Sequence, residues 1–205
     1  MRLPHLLALV SAAMLFQPSH VSGAVTGWTD VVVRLYDANS VVRGTNGAAL
    51  DLAAKALSGA SIDIVWRVCP NVRPIAAPCD LPLGPDELAI RIVRSEVPDG
   101  YRGLLPLGDA LVDTRSATAV LATIYFDRVR WLASQAGTDV QTLLGRAIAH
   151  ELGHLLLATN THGPVGLMRA SWSRDEVRRG STRDWSFMPS ELASMRRRVD
   201  ALVSR

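Results

Sequence analysis

The chain has 205 residues, which is enough for one well-buried domain and too few for two of ordinary size. Hydrophobic residues make up 48% and charged residues 20%, a balance that excludes wholesale disorder. The formal net charge of +3 is too small to indicate a nucleic-acid partner.

The first 23 residues have the pattern of a secretory signal peptide. A positive charge at Arg2 precedes an apolar stretch at residues 6–16, and small residues follow at positions 22–24, where a signal peptidase could cut. The apolar stretch is too short to span a bilayer, and no later segment is long enough. We therefore expect a signal peptide at residues 1–23, then one domain at residues 24–205, secreted or periplasmic and without stable membrane insertion. The alternative interpretations are an uncleaved anchor and a buried helix.

The next elements predict a strand, a helix and a second strand. Residues 30–37, DVVVRLYD, form a β-branched run that is typical of a strand. The stretch GAALDLAAKALSGA has helical apolar spacing and ends near Gly59. SIDIVWRVC then alternates apolar and polar residues from Ile62, as a strand does. A strand, helix and strand within about forty residues predict a right-handed crossover between parallel strands.

The two cysteines, Cys69 and Cys79, flank a proline-rich loop, CPNVRPIAAPC. In an exported protein this pattern predicts one disulfide, worth about 2–3 kcal/mol on the chain-entropy model. A metal pair and two free thiols are the alternatives, and no second ligand cluster in the sequence supports them.

Three further strands complete the predicted sheet. Residues 88–94 form a third strand, and residues 107–112 form a short edge strand within a stretch rich in Gly and Pro. Residues 119–129 form a strand that continues into a helix at DRVRWLASQAG. The predicted fold class is α+β or α/β, a mixed twisted sheet with packed helices followed by a mostly helical C-terminal part.

The segment GTDVQTLLGRAIAHELGHLLLA predicts a long helix. Thr138 and Gln141 have the spacing of a capping box, and apolar residues repeat at helical intervals as far as Leu155. His150 and His154 are four residues apart, so they lie one turn apart on one face, with Cβ atoms about 5–6 Å from each other. That spacing lets two imidazoles bind one ion.

Glu151 stands beside the first histidine, where it can reach a water on such an ion without being a ligand. This is H-E-x-x-H on a helix, the arrangement of zinc peptidases. After removal of the signal peptide, the three remaining histidines, His150, His154 and His162, all lie in one segment. Histidines used for packing or surface polarity would be scattered, so a helix that merely carries histidines is the weaker interpretation.

A catalytic zinc ion usually has three protein ligands and an open fourth position. His162 follows the helix after LLLATNT, and Asn160 and Gly163 mark where the chain can reverse to bring it to the ion. The alternative third ligands are Glu176, in capping-box spacing with Ser173, and Glu191, which opens the last helix. Both glutamates are also explained as charges at helix N-termini, so His162 is the predicted ligand.

This segment resembles the metzincin metallopeptidases, whose signature is H-E-x-x-H-x-x-G-x-x-H followed by a methionine in a tight turn beneath the metal. His150, Glu151 and His154 match that signature directly. In GPVGLMRA, Met168 resembles the methionine of the turn, although a methionine is often only core filler. The match covers residues 147–172, and the segment looks closest to small secreted proteins with H-E-[LI]-G-H-L-L-L and a following G-[IL]-M-R-A.

The resemblance departs from the signature at two positions. Leu157 stands where the family has its turn glycine, and Asn160 stands where it has its third histidine. His162 therefore arrives two residues late, as if the helix ran longer before the chain reversed.

The resemblance implies a zincin-like fold, with an active-site helix, a methionine turn and C-terminal helices. It implies one Zn2+ per chain, held by His150, His154 and His162, and Glu151 as the base that activates water to hydrolyse a peptide bond. We expect a monomeric metalloendopeptidase rather than an exopeptidase, with its peptide or protein substrate antiparallel to the edge strand LPLGDALV. The alternatives are a non-catalytic exported zinc-binding module and a zinc hydrolase acting on a non-peptide amide.

Overall fold

The computed structural model describes residues 27–37, 40, 47–70, 74–101 and 103–204. The predicted signal peptide lies outside these residues. The strands are β1 (Thr29–Asp37), β2 (Ile62–Cys69), β3 (Glu87–Val93), β4 (Gly108–Asp113) and β5 (Thr118–Tyr125). The α-helices are α1 (Ala48–Leu57), α2 (Phe126–Ala136), α3 (Val140–Leu157), α4 (Arg174–Arg179) and α5 (Pro189–Val203), with short 3-10 helices at Ser58–Ala60 and Thr182–Trp185.

The five strands form one mixed sheet in the order β2-β1-β3-β5-β4. β1 pairs in parallel with β2 and β3, and β3 pairs in parallel with β5, whereas β4 pairs antiparallel with β5 at the sheet edge. The predicted fold class is therefore confirmed, including the parallel β1–α1–β2 unit and the short edge strand.

The hydrophobic core lies between one face of the sheet and the long helix α3. Alternate residues of β1, Val31, Val33 and Leu35, are buried there, because successive side chains of a strand point to opposite faces. Helix α3 also packs against α1, and Gly145 permits their close approach. The Cβ of any larger residue at Gly145 would lie 2.7 Å from the carbonyl oxygen of Ala49. This packing fixes the position of α3 relative to the sheet.

The opposite face of the sheet anchors the loop that carries the disulfide. Cys69 and Cys79 are joined, as the sequence predicts. Arg34 is 3% exposed, and its guanidinium donates to the carbonyls of Pro78, Leu81 and Pro82 and pairs with Glu87. A buried arginine with this many acceptors fixes the loop against β1.

The start of α3 differs from the prediction. The N-cap residue is Asp139, whose carboxylate accepts a hydrogen bond of 2.7 Å from the backbone N–H of Thr142. The predicted capping box of Thr138 and Gln141 is wrong because Asp139 has the extended backbone of an N-cap and a carboxylate that reaches the third N–H. None of the helices in the described ranges is long and apolar enough to cross a membrane.

Candidate metal centre

Three histidines converge at the C-terminal half of α3. His150 and His154 lie one turn apart on the helix, and His162 comes from the loop after it. Nε2 of His154 is 3.1 Å from Nε2 of His150 and 3.2 Å from Nε2 of His162. One ligand atom from each ring lies within 4.8 Å of the others, which makes the three, among the described residues, a group that could hold a metal ion. The structure thus brings together the three histidines that the sequence predicts as ligands.

A single left-handed residue turns the chain back toward the helix. α3 ends at Leu157, and Ala158 has φ 49° and ψ 47°, with its backbone N–H donating to the carbonyls of His154 and Leu155. The sequence analysis placed the reversal at Asn160 and Gly163; the chain does return His162 to the helix, but the left-handed residue is Ala158, and neither Asn160 nor Gly163 has a positive φ. The left-handed region costs a non-glycine residue about 1–2 kcal/mol, so an alanine at this position gives no sequence signal for the turn.

Backbone carbonyls orient the two helical histidines. Nδ1–H of His150 donates to the carbonyl of Leu167 at 2.8 Å, and Nδ1–H of His154 donates to the carbonyl of Thr159 at 2.7 Å. In this tautomer each neutral ring presents a lone pair at Nε2, so no proton lies between the two Nε2 atoms. Lone pairs that converge in this way repel one another, and a cation between them removes the repulsion. This arrangement is the usual second shell of a metal-binding histidine.

The separations of the His154 ring from the other two rings fit zinc. Two nitrogen ligands, each about 2.0–2.1 Å from a tetrahedral zinc ion, lie about 3.4 Å apart, close to the separations seen here. Neither alternative glutamate joins the group. Glu176 accepts hydrogen bonds from Arg169 and Ser173, and Glu191 accepts from the backbone N–H of Met188. Both carboxylates therefore have the helix N-terminal positions that the sequence suggested for them.

Met168 lies in a turn that packs beneath α3. The turn contains Gly166, at φ 77°, and is tied to the His162 loop by a hydrogen bond of 2.8 Å from Gly163 N–H to the Met168 carbonyl. Met168 is 1% exposed, and its sulfur lies where a Cβ at Gly153 would collide with it. The methionine thus supports the helix directly below the two histidines.

Glu151 is a buried carboxylate with a free oxygen. It is 5% exposed, and Oε2 is buried without a hydrogen-bond partner among the described residues. Burial raises the pKa of Glu151 to about 8, and the nearby charge of Asp109 adds to this effect. Burial likewise lowers the pKa of His150 to about 4. An unpaired buried carboxylate beside three convergent imidazoles is typical of a catalytic site rather than of a structural one.

The histidines and Glu151 open onto a cavity of about 410 Å³. Its walls are mostly apolar and come from residues 104–107, Trp131 and Trp172, while strand β4 contributes Gly108, Asp109 and Ala110 along one side. The Trp172 ring contacts His150 edge-on, with centroids 5.5 Å apart and planes at 88°. The cavity is therefore large enough for a substrate segment of a few residues.

The sequence analysis missed two glycines that shape this site. At Gly108, a Cβ would lie 2.7 Å from Oε1 of Glu151, so only glycine leaves room for the carboxylate. At Gly153, a Cβ would collide with Met168 and lie 2.7 Å from the Phe187 ring. A glycine inside a helix costs about 1 kcal/mol relative to alanine, so it usually has a packing reason. Gly153 therefore indicates close packing at this point of the helix. Nothing comparable marked Gly108.

The comparison with solved structures supports the same architecture. The chain matches no protein-family profile and no curated protein sequence. It is similar to archaemetzincin from Methanopyrus kandleri, with 14% identity and a TM-score of 0.52 over 83% of this chain and 96% of that chain. A zinc-dependent peptidase from Methanocorpusculum labreanum aligns with 14% identity and a TM-score of 0.48, over 80% of this chain and 99% of that chain. The chain therefore has the metzincin-like zincin fold of archaemetzincin, as the sequence resemblance implies.

Proposed function

We propose that the chain is a zinc-dependent peptidase that binds one zinc ion through His150, His154 and His162. The observation that carries this proposal is the convergence of the Nε2 atoms of three histidines beside the unpaired carboxylate of Glu151. The fold shared with archaemetzincin supports it. A non-catalytic zinc module would have no use for a buried carboxylate without a partner, because that group costs free energy and binds nothing.

A zinc ion held by His150, His154 and His162 would supply Lewis-acid chemistry for an attacking water and for the carbonyl of the scissile bond. Glu151 accepts the proton of that water at Oε2 and then delivers it to the departing amine. His150 and His154 hold their orientation through the carbonyls of Leu167 and Thr159, so these two ligand rings are already oriented before a metal binds. Apolar cavity walls limit competing water around the carboxylate.

The substrate lies antiparallel along β4. Tyr125 N–H donates to the Leu107 carbonyl across the β4–β5 pair. Residues alternate in direction along an antiparallel strand, so the N–H and C=O groups of Gly108 and Ala110 face the free edge. A peptide paired to this edge passes the histidines with chain continuing in both directions, which supports an endopeptidase.

The proposed location is the periplasm or the cell exterior. The disulfide between Cys69 and Cys79 supports export, because disulfides persist in oxidising compartments. The proposal includes removal of residues 1–23 and a monomeric enzyme with a peptide or protein substrate. Hydrolysis of a non-peptide amide would use the same catalytic groups. Assays with peptide substrates and with non-peptide amides distinguish the two activities.

Metal analysis of matched variants tests the proposal. We expect one zinc per chain in the wild type, loss of zinc in His162→Ala, and full zinc content in Glu176→Ala and Glu191→Ala. Glu151→Gln should keep its zinc and lose at least about 1,000-fold in kcat on a fluorogenic peptide, because the base is gone while the ligands remain. A wild type without zinc, or a Glu151→Gln variant with normal turnover, would contradict the proposal.

A further inference from the structure

A second cavity, of about 430 Å³, lies against α3 at Thr142, Arg146 and Ala149. It is bounded by α1, α3 and the segment between α4 and α5, and it shares no lining residue with the three-histidine cavity. Two cationic side chains line it, Arg146 from α3 and Lys55 from α1. No aspartate or glutamate lines it. The cavity is therefore electropositive.

Arg146 has no counter-ion. Its guanidinium carbon lies 3.9 Å above the centre of the Trp185 ring, and Nη1 is buried without a hydrogen-bond acceptor. All 19 acidic residues of the chain fall within the described ranges, and none of them forms an ion pair with Arg146. By contrast, Arg169 and Arg178 each pair with a carboxylate of α4. Among the described residues, the half-buried guanidinium of Arg146 is therefore left without an anion.

The ring contact offsets only part of the cost of burying this charge. A cation–π contact returns less free energy than an unpaired charge loses when it is withdrawn from water. The chain places its single lysine, Lys55, at the same cavity, which adds a second positive charge. An anion that enters the cavity therefore gains the interaction that no residue of the chain supplies.

The rest of the cavity wall is suited to an apolar group. Leu52 and Leu192 line it together with the Phe187 ring. A guanidinium binds a carboxylate through two parallel hydrogen bonds, and apolar surface beside it accommodates a hydrocarbon body. We propose that this cavity binds an organic carboxylate, with the carboxylate on Arg146 and Lys55 and the apolar part against Leu52, Phe187 and Leu192.

The position of the cavity provides a spectroscopic readout. Trp185 lies under Arg146 and packs edge-on against Trp172, with ring centroids 4.8 Å apart. A carboxylate on Arg146 changes the electrostatic field at the Trp185 ring, so binding changes the tryptophan fluorescence. This proposal does not depend on peptidase activity, because the cationic groups that would bind the ligand, Arg146 and Lys55, are not among the three histidines.

Titration of the zinc-loaded full chain with hexanoate tests the proposal. Ionic strength is held constant with chloride, and acetate and inorganic phosphate serve as comparison ligands. We expect hexanoate to change the fluorescence saturably and to raise Tm by about 3–6 °C at ten times its dissociation constant. Acetate should bind at least several-fold more weakly, because it lacks the apolar body.

Variants locate the binding site. Arg146→Gln should abolish the hexanoate response and fold normally, because it removes a charge that has no partner. Lys55→Gln, at an exposed position, should weaken binding about three- to tenfold, and the exposed control Arg197→Gln should leave it unchanged. An undiminished response in Arg146→Gln would place the anion elsewhere, including at the zinc, and would overturn the proposal. Tighter binding of phosphate than of hexanoate would also overturn the proposal, and so would the absence of any saturable response. If Arg146→Gln does not fold, an unchanged response in Lys55→Gln would overturn it instead.

Discussion

The room around the Glu151 carboxylate depends on a glycine in another element. Gly108 lies at the start of β4, opposite the carboxylate, and a Cβ there would lie 2.7 Å from Oε1 and 2.7 Å from the Thr123 carbonyl oxygen. We predict that Gly108→Ala displaces the Glu151 carboxylate and lowers kcat/KM by about 100-fold, the usual effect of a misplacement of about 1 Å. The zinc content should stay at the wild-type level, since no histidine is touched. Peptide cleavage assays with parallel metal analysis measure both quantities.

Gly27→Ala is the matched control for that variant. Among the described residues, no atom lies within 4 Å of a Cβ at Gly27, so the substitution adds a methyl group without a clash there. It should leave kcat/KM unchanged. Equal activity of Gly108→Ala and the wild type would show that the carboxylate does not need the space that Gly108 provides.

The edge strand β4 gives the second prediction. Ala110 N–H faces the free edge and is not needed for pairing with β5. Ala110→Pro should therefore leave the sheet folded but remove one hydrogen bond to a substrate strand, raising KM about tenfold with little change in kcat. The measurement is steady-state kinetics on peptides long enough to span the cavity. Ala110→Gly, which keeps the N–H, is the control, and an unchanged KM in Ala110→Pro would exclude substrate pairing at this edge.

The periodic elements could be predicted from the sequence because each has a clear burial pattern. Alternating residues in β1 and β2 and helical spacing in α1 and α3 reflect one buried face per element. The H-E-x-x-H spacing likewise placed His150 and His154 on one helical face, since geometry within one helix is local. Features that depend only on residues close together in sequence can therefore be predicted from the sequence.

Features that depend on the end of an element or on distant contacts could not be predicted. The helix reverses at Ala158 although alanine rarely adopts a positive φ, because the backbone bonds of the helix end impose it. Asp139 rather than Thr138 caps α3, a difference of one residue that composition does not decide. Arg146 stacks on Trp185, which is far from it in sequence, so no local sequence pattern predicts this contact.

One group of stabilising contacts lies at the far side of the sheet from the candidate active site. Neighbouring strands are about 4.8 Å apart, so the four steps of the sheet put β2 about 19 Å from β4. The disulfide and the Arg34 hydrogen bonds lie at the β2 side, whereas the three-histidine cavity lies at the β4 side. In the C-terminal part of the chain, Arg169, which directly follows Met168, forms an ion pair with Glu176 of α4. This ion pair stabilises the segment that supports α3 from below.

That ion pair predicts how the stability of the whole fold changes with pH. Hydrogen bonds from Arg169 and Ser173 lower the pKa of Glu176 from 4.5 to about 2. Because the folded-state pKa is the lower one, the carboxylate contributes its full stability above pH 4.5 and loses it as the pH falls toward 2. Glu176→Gln should lower the free energy of unfolding by about 1–3 kcal/mol at pH 7, a difference that shrinks between pH 4.5 and 2. Urea unfolding of metal-free protein across this range measures it. Glu96→Gln, at an exposed residue without an ion pair among the described residues, should change stability little at any pH. A deficit in Glu176→Gln that stayed constant down to pH 2 would assign the loss to packing rather than to the charge.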